Sequence, residues 1–89
     1  MHPAMNNHFI KYQKMLDEMA SLRSDGRPTR FSLTFFSRSD RAFVTWTDCH
    51  LTSRHSSGGT VNIQPPHTLH PRNVRTCLIT EFNHKKVYH

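Results

Sequence analysis

The sequence predicts an α+β domain in which an N-terminal amphipathic helix precedes a small antiparallel sheet or barrel of about five strands. The sheet is expected to be SH3-like, Sm-like or OB-like, or an open meander with the helix across it. Three observations carry this expectation. Apolar residues recur at helical spacing before Gly26, the period changes to two after Pro28, and Gly, Pro, Asn and Ser clusters punctuate the remainder of the chain. Eighty-nine residues can bury one modest core, so residues 1–89 are expected to form a single domain.

In MNNHFIKYQKMLDEMASLRSDG, the residues Met5, Phe9, Tyr12, Leu16 and Met19 follow one another at intervals of four or three, the stripe of a helix over 7–23. Asn6 or Asn7 is suited to cap its start, and Gly26 and Pro28 to end it. TRFSLTFFS then alternates, predicting a strand over 29–37 with Phe31, Leu33 and Phe35 on one face. RAFVTWTDCHL predicts a second over 41–51, with Ala42, Val44 and Trp46 on one face and Phe43, Thr45 and Thr47 on the other. TSRHSSGG reads as a loop. TVNIQ predicts a short strand over 60–64, and PPHTLHPRN, with three prolines, a loop or arm. A strand over 73–82 and a closing strand over 85–89 complete the chain, joined by the two-residue turn Asn83-His84. That turn needs positive φ at both positions. The hairpin register puts Phe82 opposite Lys85, Glu81 opposite Lys86, Thr80 opposite Val87 and Ile79 opposite Tyr88.

Composition limits the core. Ala, Val, Ile, Leu, Met, Phe, Trp, Cys and Gly make up 32 of 89 residues, about 36% against roughly 45 to 50% in an average globular chain. Self-association as a homo-oligomer would help such a chain, and an exposed edge is expected at 60–64 or 85–89. The two cysteines, Cys49 and Cys77, lack the spacing of a metal pair and are fewer than a secreted disulfide scaffold carries. No long apolar run is present to supply a signal peptide or a membrane span, so the expected location is the cytoplasm, or a virion if the protein is structural.

Charge is the strongest functional pointer. Twelve Lys and Arg stand against six Asp and Glu, a net charge of +6, and eight of the twelve bases are arginine. Five of the bases and only one acid, Glu81, fall after residue 48. A positive field attracts polyanions, and guanidinium forks suit phosphate and stack on bases. The candidate contacts are Arg27, Arg30, Arg38, Arg41, Arg72, Arg75, Lys85, Lys86 and Tyr88, with Phe36 and Phe43 as further stacking platforms.

Other chemistries find little support. Asp48, Cys49, His50, His55, His67 and His70 are the densest potential ligands, but adjacent strand residues point apart and the recurrent zinc spacings are missing, so no metal is expected. Neither a nucleophile elbow, a glycine-rich phosphate loop nor a paired-carboxylate motif occurs, and neither catalysis nor a cofactor is expected.

The segment RNVRTCLITEFNHKKV, residues 72–87, resembles a C-terminal pattern of small uncharacterised proteins encoded by phages and mobile elements of gut bacteria. In that pattern an Arg-Asn pair precedes a strand ending Leu-Ile-Thr, then Phe-Asn-Gly and a closing strand. His84 stands where the pattern has glycine. The resemblance implies a mobile-element setting and a shared hairpin, and brings no activity with it.

The expected function is that of a non-enzymatic nucleic-acid-binding accessory protein, favouring single-stranded DNA or RNA. The alternative is a structural or self-assembling virion or mobile-element component, and a modulator of host enzymes is a third reading.

Overall fold

In the computed structural model, residues 8–54 and 59–89 are described. Phe9–Lys11 form strand β1, Tyr12–Met19 helix α1, Phe31–Ser37 β2, Ala42–Arg54 β3, Thr60–Gln64 β4 and Arg72–Arg75 β5. A 3-10 turn, Thr76–Leu78, leads into β6, Ile79–Phe82, and β7, Lys85–Tyr88, closes the chain. The strands make one seven-stranded sheet in the order β1-β7-β6-β2-β3-β4-β5. This corrects the expected helix followed by a five-stranded antiparallel sheet or barrel of SH3, Sm or OB kind. The sheet is mixed, because β1 runs parallel to β7 while the other pairings are antiparallel.

The extra strand is taken from the expected helix. Phe9, Ile10 and Lys11 lie opposite Lys86, Val87 and Tyr88, so their backbone groups bond across the sheet instead of along a helix. Ile10 is thereby buried, while Phe9, expected on the helical stripe, is 52% exposed. The helix spans eight residues rather than 7–23, starting after Lys11 without a side-chain cap. Asn6, Asn7 and Met5 lie outside the described residues. The remaining stripe does what its spacing demands: Met15, Leu16 and Met19 are buried. Beyond Ala20 the chain turns back on itself, with a Leu22–Pro28 bridge around Gly26, whose φ of 84° suits a residue without a Cβ.

Bulges decide which residues face inward. Leu33 lies opposite Trp46 but Phe31 lies opposite Cys49, so β3 carries one extra residue between those pairs. Asp48 absorbs it at φ 57°. The inward parity of β3 consequently changes from Val44 and Trp46 to Cys49 and Leu51. Arg30 ties down the irregular stretch, its Nη1 donating to the Asp48 carbonyl at 3.0 Å and lying 3.4 Å from the Asp48 carboxylate. A second bulge, at Thr80, falls between the pairs Thr34–Glu81 and Phe35–Ile79. It turns Ile79 into the core beside Phe82, away from the Glu81 face on which plain alternation places it.

The expected strand 73–82 is broken because its two halves have different partners. β5 pairs with β4, whereas β6 crosses to β2, and the 3-10 turn makes the crossing. Thr76 anchors it. This residue is 3% exposed, its N–H donates to the Gly59 carbonyl at 3.0 Å, and its hydroxyl lies 2.6 Å from the Tyr12 hydroxyl.

The turn Asn83-His84 has φ of 51° and 67°, with Glu81 opposite Lys86 and Phe82 opposite Lys85. Asn83 is held further: its N–H donates to the Ser32 carbonyl and its side-chain oxygen accepts from the Ser32 N–H, each at 2.9 Å. Neither expected edge is open. β4 lies between β3 and β5, and β7 between β6 and β1. Among the described residues no helix is long and apolar enough to cross a membrane.

Candidate nucleic-acid interface

The β2–β3 hairpin ends in a polar turn built from SRSD. The Ser37 hydroxyl donates to the Asp40 carboxylate at 3.0 Å, and the Asp40 N–H donates back to the hydroxyl at 3.3 Å. This fixes the turn and leaves Arg38 and Arg41 exposed on it. Along the hairpin, Phe35 meets Trp46 edge-on with centroids 4.7 Å apart, and Phe36 meets Phe43 in the same way at 5.3 Å.

β5 approaches from the other side. Val74 points into the core at 2% exposure, and alternation therefore turns Asn73 and Arg75 to the other face, while Arg72, on the Val74 side, is exposed at the start of the strand. Between hairpin and β5 opens a cleft of about 400 Å³. Phe35, Val44, Trp46 and Leu78 supply its apolar lining, and Arg38, Arg72 and Arg75 its cations. Phe36, Ser37, Ser39, Asp40, Asn73 and Val74 complete it, so three arginines and a single acidic residue line the cleft. Arg38, Arg72 and Arg75 make no ion pair among the described residues, and their forks are free for an incoming anion.

The other candidates lie elsewhere. Arg27 sits near Asp25, Nε to Oδ2 at 4.0 Å, in the turn after the helix. Arg30 is occupied at the Asp48 bulge. Arg41 is exposed with φ 55° and lines no part of the cleft. Lys85 and Tyr88 line a different cavity, with Lys11 and Lys14. Lys86 lines a further cavity with His84 and Glu81. Lys86 and Tyr88 share a face of β7, as strand alternation predicts, and stand opposite Phe9 and Lys11, but they line different cavities along it.

No family model, curated protein or solved structure matches the chain.

The potential metal ligands do not assemble. Cys49 is fully buried, its thiol donating to the Phe31 carbonyl at 3.2 Å, and burial pushes its pKa up to about 11. His50 and His67 line a shallow cavity with Arg30 and the proline loop, while His55 lies outside the described residues. Among the described residues no three of His, Cys, Asp and Glu come together.

Phe35 and Trp46 are the aromatic part of the site that strand alternation does not reveal. Alternation gives Trp46 a strand face and no more, and of the rings it favours for stacking, Phe36, Phe43 and Tyr88, only Phe36 lines the cleft. The signal is nevertheless present in AFVTWTDCHL, where, apart from Phe43, apolar positions run 42, 44, 46 and then 49, 51. A parity change inside a strand marks a bulge, and bulges are frequent next to functional sites.

Proposed function

We propose that the protein is a non-enzymatic nucleic-acid-binding accessory protein of a phage or mobile element, and that it takes single-stranded DNA or RNA in the arginine cleft. The observation that carries this reading is the convergence of Arg38, Arg72 and Arg75 around Trp46 and Phe35. Guanidiniums supply phosphate contacts that position the strand, and the half-buried indole supplies a face on which any base can stack. A cleft of about 400 Å³ has room for a splayed-out nucleotide, which a single strand offers and a paired helix withholds. The mobile-element setting rests on the resemblance of residues 72–87.

Titration of a labelled oligothymidylate or oligouridylate at a series of salt concentrations tests the reading. Three phosphate contacts predict that log affinity falls against log salt with a slope of about −2, from roughly −0.7 per contact on single strands. Absence of binding at low salt rejects the proposal.

Self-assembly has one observation in its favour. β4 pairs with β3 only from His50 onward, so the flank of β3 at 42–48 away from β2 has no strand partner among the described residues, and Phe43 there is 65% exposed. Light scattering that returns a ring or filament, with no oligonucleotide binding, selects this second reading.

A further inference from the structure

We infer that the protein carries a second nucleic-acid cleft, built from lysines, and that it bridges two segments of single strand. The inference rests on the reading of the arginine cleft given above. Lys11, Lys14 and Lys85 line one cavity of about 310 Å³ together with Phe9, Tyr88 and Glu18. These are three of the four lysines in the chain. Phe9 and Tyr88 are 52% and 49% exposed, and both rings are therefore available to a ligand.

The chemistry repeats that of the first cleft with different residues. Each has three cations, one carboxylate and aromatic rings: Arg38, Arg72 and Arg75 with Asp40 in the first, the three lysines with Glu18 in the second. Each therefore offers a local excess of positive charge beside a stacking surface, the combination that single-strand binders use. The two share no lining residue. The lysine cleft is built on β1, β7 and the helix at one end of the strand order, and the arginine cleft on β2, β3 and β5 toward the other. Two separate clefts bind two segments, either of one long strand or of two molecules.

The fold explains how the lysines meet. Parallel pairing puts Lys11 opposite Tyr88, and the chain enters the helix at the next residue, so Lys14 lies within one turn. Glu18 lies four residues after Lys14 on the same helical side. Lysines act as mobile point charges rather than planar forks, so this cleft is expected to track the backbone loosely while the rings take the bases. A concave cavity holding two rings suits a splayed strand better than it suits the flat plane of an anionic bilayer.

The experiment counts ligands per chain by calorimetry, using an oligothymidylate of about six nucleotides, near the lower end of single-strand site sizes. Two per chain are expected. The double variant Lys11→Glu with Lys14→Glu leaves one, and Arg72→Glu with Arg75→Glu leaves the other. All four side chains are exposed, and circular dichroism confirms that each variant folds. A dimer with one cleft per chain still gives one ligand per chain, so self-association does not mimic the result. Energy transfer between donor- and acceptor-labelled oligonucleotides should rise as protein is added and fall again in excess. One oligonucleotide per chain, unaffected by the lysine changes and lost with the arginine changes, overturns the second cleft and leaves the first standing. Loss of all binding overturns both. If phosphatidylserine vesicles bind through the lysines while one oligonucleotide per chain remains, the cleft belongs to lipid and bridging is rejected.

Discussion

Asn83 and His84 share a positive φ, yet replacing them should move stability in opposite directions. His84 sits at φ 67° and is exposed, with no side-chain hydrogen bond among the described residues. A non-glycine residue in the left-handed region costs roughly 1 to 2 kcal/mol, and glycine returns about 0.5 to 1 kcal/mol of that through its freer unfolded chain. His84→Gly is therefore expected to stabilise by about 0.5 to 1 kcal/mol. For a chain of this size that raises Tm by about 2 to 8 °C. Asn83, at φ 51°, tolerates the conformation better and also accepts the Ser32 N–H at 2.9 Å. Asn83→Ala loses that bond, worth about 1 kcal/mol, and adds left-handed strain of about 1 kcal/mol, for a loss of about 2 kcal/mol. The two variants should differ by about 3 kcal/mol in urea denaturation, with equal m-values if the fold is kept. Equal destabilisation by both would refute a turn with positive φ at each position and the register drawn from it.

Tyr12→Phe should cost about 1 to 3 kcal/mol, because the Thr76 hydroxyl, in a residue only 3% exposed, loses its partner at 2.6 Å; chemical denaturation measures it. Cys49 should make the protein alkali-sensitive. Its thiol is raised from 9.0 to about 11 by burial, so the unfolded chain gives up its proton first, and stability present below pH 9 is lost as pH rises through about 11. The loss is about 3 kcal/mol at roughly 1.4 kcal/mol per unit, and Cys49→Ala should remove that part of the pH dependence of the urea midpoint. Lys86→Glu should leave arginine-cleft binding unchanged, since Lys86 lines a different cavity, and should cost about 0.2 to 1 kcal/mol by placing like charges opposite at Glu81.

The parts of the fold legible in the sequence are those set by local rules. Alternation locates the inward Phe31, Leu33 and Phe35, and the turn chemistry of Asn83-His84 gives the hairpin register around Glu81 and Lys86. The rest depends on distant partners. Phe9, Ile10 and Lys11 fit a helical stripe equally well, and only the presence of β7, more than seventy residues away, makes them a strand. The bulges at Asp48 and Thr80 are likewise imposed by the strands opposite, and they reset which side chains face the core. For the same reason charge counting names eight basic candidate contacts, with Tyr88 beside them, without separating them. Tertiary folding brings Arg38 from a hairpin turn to Arg72 and Arg75 on β5, sends Lys85 and Tyr88 to a lysine cavity, and commits Arg30 to the bulge.

The arginine cleft is the centre of the functional account, and the salt dependence of single-strand binding in Arg72→Ala with Arg75→Ala tests it most directly. Both side chains are exposed, so folding should be unaffected within about 0.5 kcal/mol. Removing two of three phosphate contacts should shift the slope of log affinity against log salt from about −2 to about −0.7. A variant that keeps the parent's affinity and slope would contradict the assignment of this cleft.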